Sequence, residues 1–186
     1  MSKIKVGIVI GSLRKDSFSG KIANVLAKFF PQDYEVSRID ISNLPVFDQD
    51  YDDTGTVPAS WERLRKDVAA QDAFLFVTPE HNRSFPAALK NVLDIASRPW
   101  GKNLWDGKPT AIVSVTPGRL GAFGANHHLR QVLAFLNMQT LQQPEAYVGD
   151  VAGMFDDKGA FIDAKTEKLL QRFVLTFTGL IGKIRT

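Results

Sequence analysis

The chain has 186 residues, 44% hydrophobic and 23% charged, with a net charge of +3 and no cysteine. The length implies one domain over 1–186, long enough to bury a real core. Without cysteine, disulfides, thiolate catalysis and cysteine-ligated metals are excluded; no apolar run approaches membrane-spanning length, and no dense Lys/Arg block marks a nucleic-acid surface.

The first element is Val6 to Ile10, a short β-branched run ending at Gly11, which reads as a fully buried strand. The apolar run after Lys5 is too short for a signal peptide, so a cytoplasmic protein with no membrane or nucleic-acid partner is expected. Behind the strand come Ser12, Arg14, Ser17 and Ser19, then Ile22, Val25, Leu26 and Phe29 at helical spacing. Strand, hydroxyl-rich loop and helix deliver hydroxyls, an arginine and free N–H groups to one point, a set suited to phosphate. Ser17 or Ser19 is equally a normal helix N-cap, and the loop alone leaves both readings open. It is neither a dinucleotide fingerprint nor a P-loop, since Gly11 and Gly20 fit neither spacing.

Tyr34 to Ile41 is expected as the second strand, and Asn43 to Pro58 as a long polar loop whose aspartates are solvated. Ser60 can cap a helix that carries Trp61, Leu64 and Val68. Ala73 to Val77 is the third strand, followed by the loop from Glu80 to Phe85 and a helix opened by Pro86. Thr110 to Val115 is the fourth strand, and Thr116 to Gly124 a glycine-rich loop before a helix bearing Leu129, Val132, Leu133 and Leu136. A short fifth strand is expected within Gln139 to Tyr147, and a last helix over 164–183 that buries Leu169, Phe173, Phe177 and Leu180.

Short continuous apolar strands alternating with helices form a parallel sheet covered on both faces. Loops of unusual chemistry follow strands one, three and four, at the carboxyl ends where open α/β sheets bind ligands. In the order 2-1-3-4-5, the loops after strands one and three meet at one crevice. His127 and His128 are about 100° apart on a helix, so no metal pair is expected. No G-x-S-x-G elbow marks a serine hydrolase. Asp40 reads as a surface or capping acid, because the glycine fingerprint of a ribose-binding acid is missing.

The segment PEHNRSFPAALKNVLDIASR, Pro79 to Arg98, resembles the pattern P-E-Y-N-x-S-x-P-G-x-L-K-N-A-I-D-W-x-S-R of the NADPH-dependent FMN reductase family. GSLRKDSFS resembles that family's G-S-L-R-x-x-S-x-N phosphate loop, and HLRQVLAFLNM the matching helix of its chromate and quinone reductases. His81, Ala87 and Ile95 stand where tyrosine, glycine and tryptophan are usual, and Gly124 and His127 where relatives carry an arginine and a tyrosine implicated in tetramer packing.

The resemblance implies a flavodoxin-like, doubly wound five-stranded parallel sheet in the order 2-1-3-4-5, with non-covalent FMN and NADPH or NADH as electron donor. Ser12, Arg14, Ser17 and Ser19, with Phe18 in the same loop, would hold the phosphate. Pro79, Glu80, His81, Asn82 and Ser84 would line the isoalloxazine, largely through backbone groups. Ser114, Thr116, Pro117 and Gly118 would face the ring or ribityl chain. Lys15 and Arg119 are weaker candidates for an anionic substrate. The implied acceptor is a quinone, with chromate or azo compounds as further acceptors, in a homodimer or dimer of dimers. No side chain need act as acid or base, because the flavin N5 carries the chemistry.

Overall fold

A computed structural model describes residues 2–185. Four parallel strands, β1 (Ile4–Ile10), β2 (Tyr34–Arg38), β3 (Ala73–Thr78) and β4 (Pro109–Val115), lie in the order β2-β1-β3-β4. The fifth position is shared by β5 (Gln139–Thr140), which pairs with Pro109 and Thr110, and β6 (Ala146–Val148), which pairs with Val113 to Val115. The expected fifth strand is therefore two short pieces, interrupted around Pro144, whose nitrogen has no hydrogen to donate to a ladder.

Period-two alternation sorts the strand side chains into two cores. Val6, Ile8, Leu75, Val77 and Val113 pack against α1 (Phe18–Ala27) and α6 (Ala164–Arg185). Val9, Phe74, Phe76 and Ile112 pack against α3 (Ala59–Ala69), α4 (Ala87–Ala96) and α5 (Phe123–Phe135). Both buried indoles find acceptors, as buried tryptophans require: Trp105 Nε1 donates to Leu93 O at 3.1 Å and Trp61 Nε1 to Pro45 O at 3.1 Å.

The Asn43 to Pro58 segment is more ordered than its composition implies. It contains a single-turn helix, α2 (Asp50–Asp53). Asp52 is not solvated: its carboxylate accepts two bonds of 2.7 Å from Arg65, and its side chain is 6% exposed. On α6 the expected Phe173 and Phe177 are buried, but the ends of the face turn by one position. Leu170, Phe173, Val174, Phe177 and Ile181 are buried, while Leu169 faces outward. Both sets are helically spaced, and packing against the sheet selects between them.

The backbone at Gly7 admits the ring of Phe74. A Cβ there would stand 2.9 Å from Phe74 Cε1 and 2.9 Å from Gln71 Cγ. Phe74 cannot retreat, since Trp105 meets its ring edge-on at 4.7 Å. Gly7→Ala is expected to lower unfolding free energy by about 1–3 kcal/mol through overpacking, read from the urea midpoint; an unchanged midpoint would show that the ring has room to move.

Candidate functional site

The pairing register brings three strand ends level: Ile10 opposes Val77, and Val77 opposes Val113. The loops that leave β1, β3 and β4 therefore start side by side. Gly11 seals the first contact. Its N–H donates to Val77 O at 2.8 Å, and its bare Cα would place a Cβ 3.0 Å from Thr78 Oγ1 and 3.3 Å from Pro79 Cδ.

In the first loop, Ser12 Oγ accepts from Arg14 N at 3.4 Å. Ser17 is the N-cap of α1, with extended backbone and Oγ accepting from Gly20 N at 3.0 Å. Its own hydroxyl hydrogen is left to donate outward. Among the described residues the amides of Lys15 to Ser19 meet no protein acceptor. Ser17 and Ser19 are buried, Ser12 is half-buried, and Arg14 and Lys15 are exposed. Phe18 packs against the first core, with Lys21 Nζ 5.6 Å from its ring centre. A cleft of about 300 Å³ lies between this loop and Arg38 to Ser42. Asp40 turns back on its own chain there. The Ser42 hydroxyl and N–H, at 2.7 and 2.9 Å, hold its carboxyl below the usual range, with Arg63 nearby adding to the effect.

The second loop is a tight hairpin. His81 and Ser84 exchange backbone bonds of 2.8 and 2.9 Å, and Asn82 and Arg83 between them have φ of 51° and 68°. Two positive φ angles make a type I′ turn. Asparagine tolerates it; arginine there is strained by about 1–2 kcal/mol. Three contacts hold the turn on α5. Glu80 Oε2 accepts from Ala125 N at 3.2 Å, Ser84 Oγ lies 3.2 Å from His128 Nδ1, and the Arg83 carbonyl comes so close to Gly124 that a Cβ would stand 2.8 Å from it. The carboxylate of Glu80 thus serves a helix N-terminus, where negative charge is favoured. His81 uses its amide within the turn, which leaves the amides of Glu80 and Asn82 without protein acceptors among the described residues.

The third loop folds onto β6. Thr116 N donates to Val148 O at 2.9 Å, and Thr116 Oγ1 accepts from Gly118 N at 3.2 Å. Ser114 is fully buried; its Oγ donates to Gly121 O at 2.6 Å and accepts from Asn126 Nδ2 at 3.3 Å. It braces the loop from below and offers no polar atom to the surface. Pro117 to Leu120 are exposed. Gly118 is bare without a packing reason: its φ is ordinary, and a Cβ would meet only Thr116 Oγ1, at 3.7 Å. Beside this loop, Phe123, His127 and Tyr147 form a cluster in which His127 Nε2 lies 2.9 Å from the Tyr147 hydroxyl. Partial burial and then Glu145 push the Tyr147 hydroxyl up to about 12.

The structure thus brings the sequence-predicted residues to one edge, with Ser114 and the Glu80 carboxylate turned to structural duties. The sequence reading named Gly124 and His128 without giving either a part in this site, and did not single out Arg38. Gly124 was visible as the last glycine of its loop; the other two carry no local signal.

The profile of the NADPH-dependent FMN reductase family matches residues 4–153. A quinone reductase from Pseudomonas putida is 47% identical over 182 residues, 97% of each chain. An NAD(P)H-dependent FMN reductase from Pseudomonas aeruginosa is 38% identical over 169 residues, 91% of this chain and 90% of that one. The solved structure of a flavoenzyme NAD(P)H:(acceptor) oxidoreductase from Paracoccus denitrificans superposes with a TM-score of 0.89 at 38% identity, covering 97% of this chain and 98% of that one.

Glu80→Ala leaves the Ala125 amide unpaired and releases the strained turn. The amides of His81 and Ser84 are expected to exchange with solvent about tenfold faster or more, with β3 unchanged. Unaltered exchange at both positions would show that the turn holds its own shape.

Proposed function

Because the chain belongs to the NADPH-dependent FMN reductase family, we propose that its three carboxyl-end loops hold FMN, with the first loop on the phosphate and the other two along the ring. The protein is an FMN-dependent NAD(P)H oxidoreductase that reduces quinones. Held there, FMN would supply the hydride acceptor at N5 for the nicotinamide and the electron donor for the quinone, in a ping-pong sequence.

The observation that carries the assignment of residues is the unpartnered donor set of the first loop, pinned by Gly11 against Thr78 and Pro79. Amides of Lys15 to Ser19, the Ser12 and Ser17 hydroxyls and the Arg14 guanidinium suit a dianion at the positive end of α1. Phe18 and Ser19 stiffen the cradle through their burial. Beyond it, the amides of Glu80 and Asn82 are free to meet the polar edge of the ring and stabilise negative charge that develops there. Pro79 and Thr116, half-buried, and Pro117 and the bare Gly118, exposed, would flank the ring. Ser84 steadies the turn through His128, and His81 fills the volume of the tyrosine usual at its position. The exposed loop at 117–120 would leave one ring face to the nicotinamide and then to the acceptor, and we extend the proposal to chromate and azo compounds as acceptors.

A homodimer or dimer of dimers agrees with Leu120 and Phe123, which are 67% and 52% exposed at the rim of the site. We place the protein in the cytoplasm, where its pyridine-nucleotide donor is found; no helix among the described residues is long and apolar enough to cross a membrane. The rival reading is a flavodoxin-type electron carrier, from which the net charge of +3 points away, such carriers being strongly acidic. A third is supply of free reduced FMN, which requires a loosely held flavin.

The test is the visible spectrum of the purified protein, followed by NADPH without oxygen. A flavin band that bleaches on NADPH and returns with a quinone is expected. A band indifferent to NADPH would make the protein a carrier, and no band even with added FMN would refute the cradle. Arg14→Ala is expected to weaken FMN binding about tenfold or more, from loss of a charge-assisted bond.

A further inference from the structure

The cleft beside the phosphate loop is more basic than one phosphate requires. Its near wall carries Arg14 and Lys15, and its far wall, the end of β2, carries Arg38. The helix terminus, the hydroxyls and Arg14 already match a single phosphate dianion. Arg38 and Lys15 are then surplus. Asp40, the carboxylate in the cleft, stays ionised, but its charge is offset by Arg63, whose Nη1 lies 3.3 Å from it, and not by Arg38 or Lys15. Arg38 Nη2 also meets Asn24 Oδ1 on α1, beside the cleft. The exposed side chain of Leu13 adds an apolar surface on the same rim.

A cation pair around an open cleft of about 300 Å³, next to the donor set for the flavin phosphate, is matched to a second phosphomonoester. Of the two substrates, only NADPH brings one, on the 2′ position of its adenosine ribose. We infer that Arg38, with Lys15, forms a subsite for the 2′-phosphate of NADPH and sets the preference for NADPH over NADH. This rests on the FMN reading above. An arginine near the end of the second strand meeting a 2′-phosphate has a counterpart in dinucleotide-binding sheets, where the same edge of the fold separates the two nucleotides. The shared chemistry is a phosphate monoester, and its other source is FMN itself.

Arg38→Gln and Lys15→Gln distinguish the sources. Both residues are exposed, and neither substitution opens the core. In the FMN-loaded protein, KM for NADPH is expected to rise about tenfold in Arg38→Gln, with KM for NADH and the Kd of FMN unchanged. Calorimetry supplies a readout apart from turnover: wild type binds adenosine 2′,5′-bisphosphate more tightly than 5′-AMP, and the variant binds both alike. Equal KM values for NADPH in variant and wild type would overturn the subsite. A rise in FMN Kd with equal losses for both nucleotides would assign Arg38 to the flavin phosphate and overturn it also. If wild type retains FMN and is bleached by NADH while Arg38→Gln changes nothing, only the subsite fails; if wild type holds no FMN, the underlying reading fails.

Discussion

Burial of the sheet on both faces is the constraint from which the rest of the structure follows. Strands β3 and β4 are covered along their whole length, so no polar side chain can point from them into water. Backbone pairing satisfies their amides and carbonyls, and every reactive or charged group is displaced to the strand ends. The parallel register then decides which ends meet. Ile10, Val77 and Val113 lie in one row, so three loops separated by many residues open onto a common edge. The site is a consequence of the sheet before any loop residue is chosen.

What the loop residues add is rigidity. The β3 loop would be mobile if only its own turn held it, since a type I′ turn with arginine at its second position is strained. Glu80 opposes that strain by capping α5, and Gly124 lets the Arg83 carbonyl approach where any side chain would exclude it. Ser114 does the same for the β4 loop from beneath, by its bond to Gly121 O. The groups that face outward are mostly backbone amides and short hydroxyls. Such a site orders a ligand by positioned dipoles and needs no titrating side chain, which accords with a reaction carried by a cofactor.

The fold was legible in the sequence because its strands are short, continuous and β-branched, and because the helices carry clear apolar faces. The fifth strand was placed within Gln139 to Tyr147, but its division into two pieces was not legible, since two and three paired residues leave too little periodicity to read. Asp52 was misread for a different reason. Four nearby aspartates have the composition of a solvated loop, and only the partner Arg65, thirteen positions on, turns one of them into a half of a buried pair. The meeting of hydroxyls, an arginine and a helix start at the end of β1 was legible because it is local, all within a few residues. Ser114 was assigned to the ligand by the family resemblance, and its bond to a glycine seven residues later gives it another partner. Arg38 was invisible for the same reason as Arg65, because its meaning depends on a loop distant in sequence.

The charge arrangement separates two fates for one fold. A carrier that docks on a reductase benefits from a broad field of one sign, which steers a protein partner. Here acidic and basic side chains nearly balance over the whole chain, and the cleft beside the first loop is lined by Arg14, Lys15 and Arg38 against one carboxylate, Asp40. A local excess of this kind has little long-range reach, since at physiological ionic strength fields fade within about 8 Å. It acts on what enters the cleft. That is the requirement for discriminating small phosphorylated nucleotides, and in the reading proposed above it would put that discrimination on Arg38, at the end of β2 beside β1.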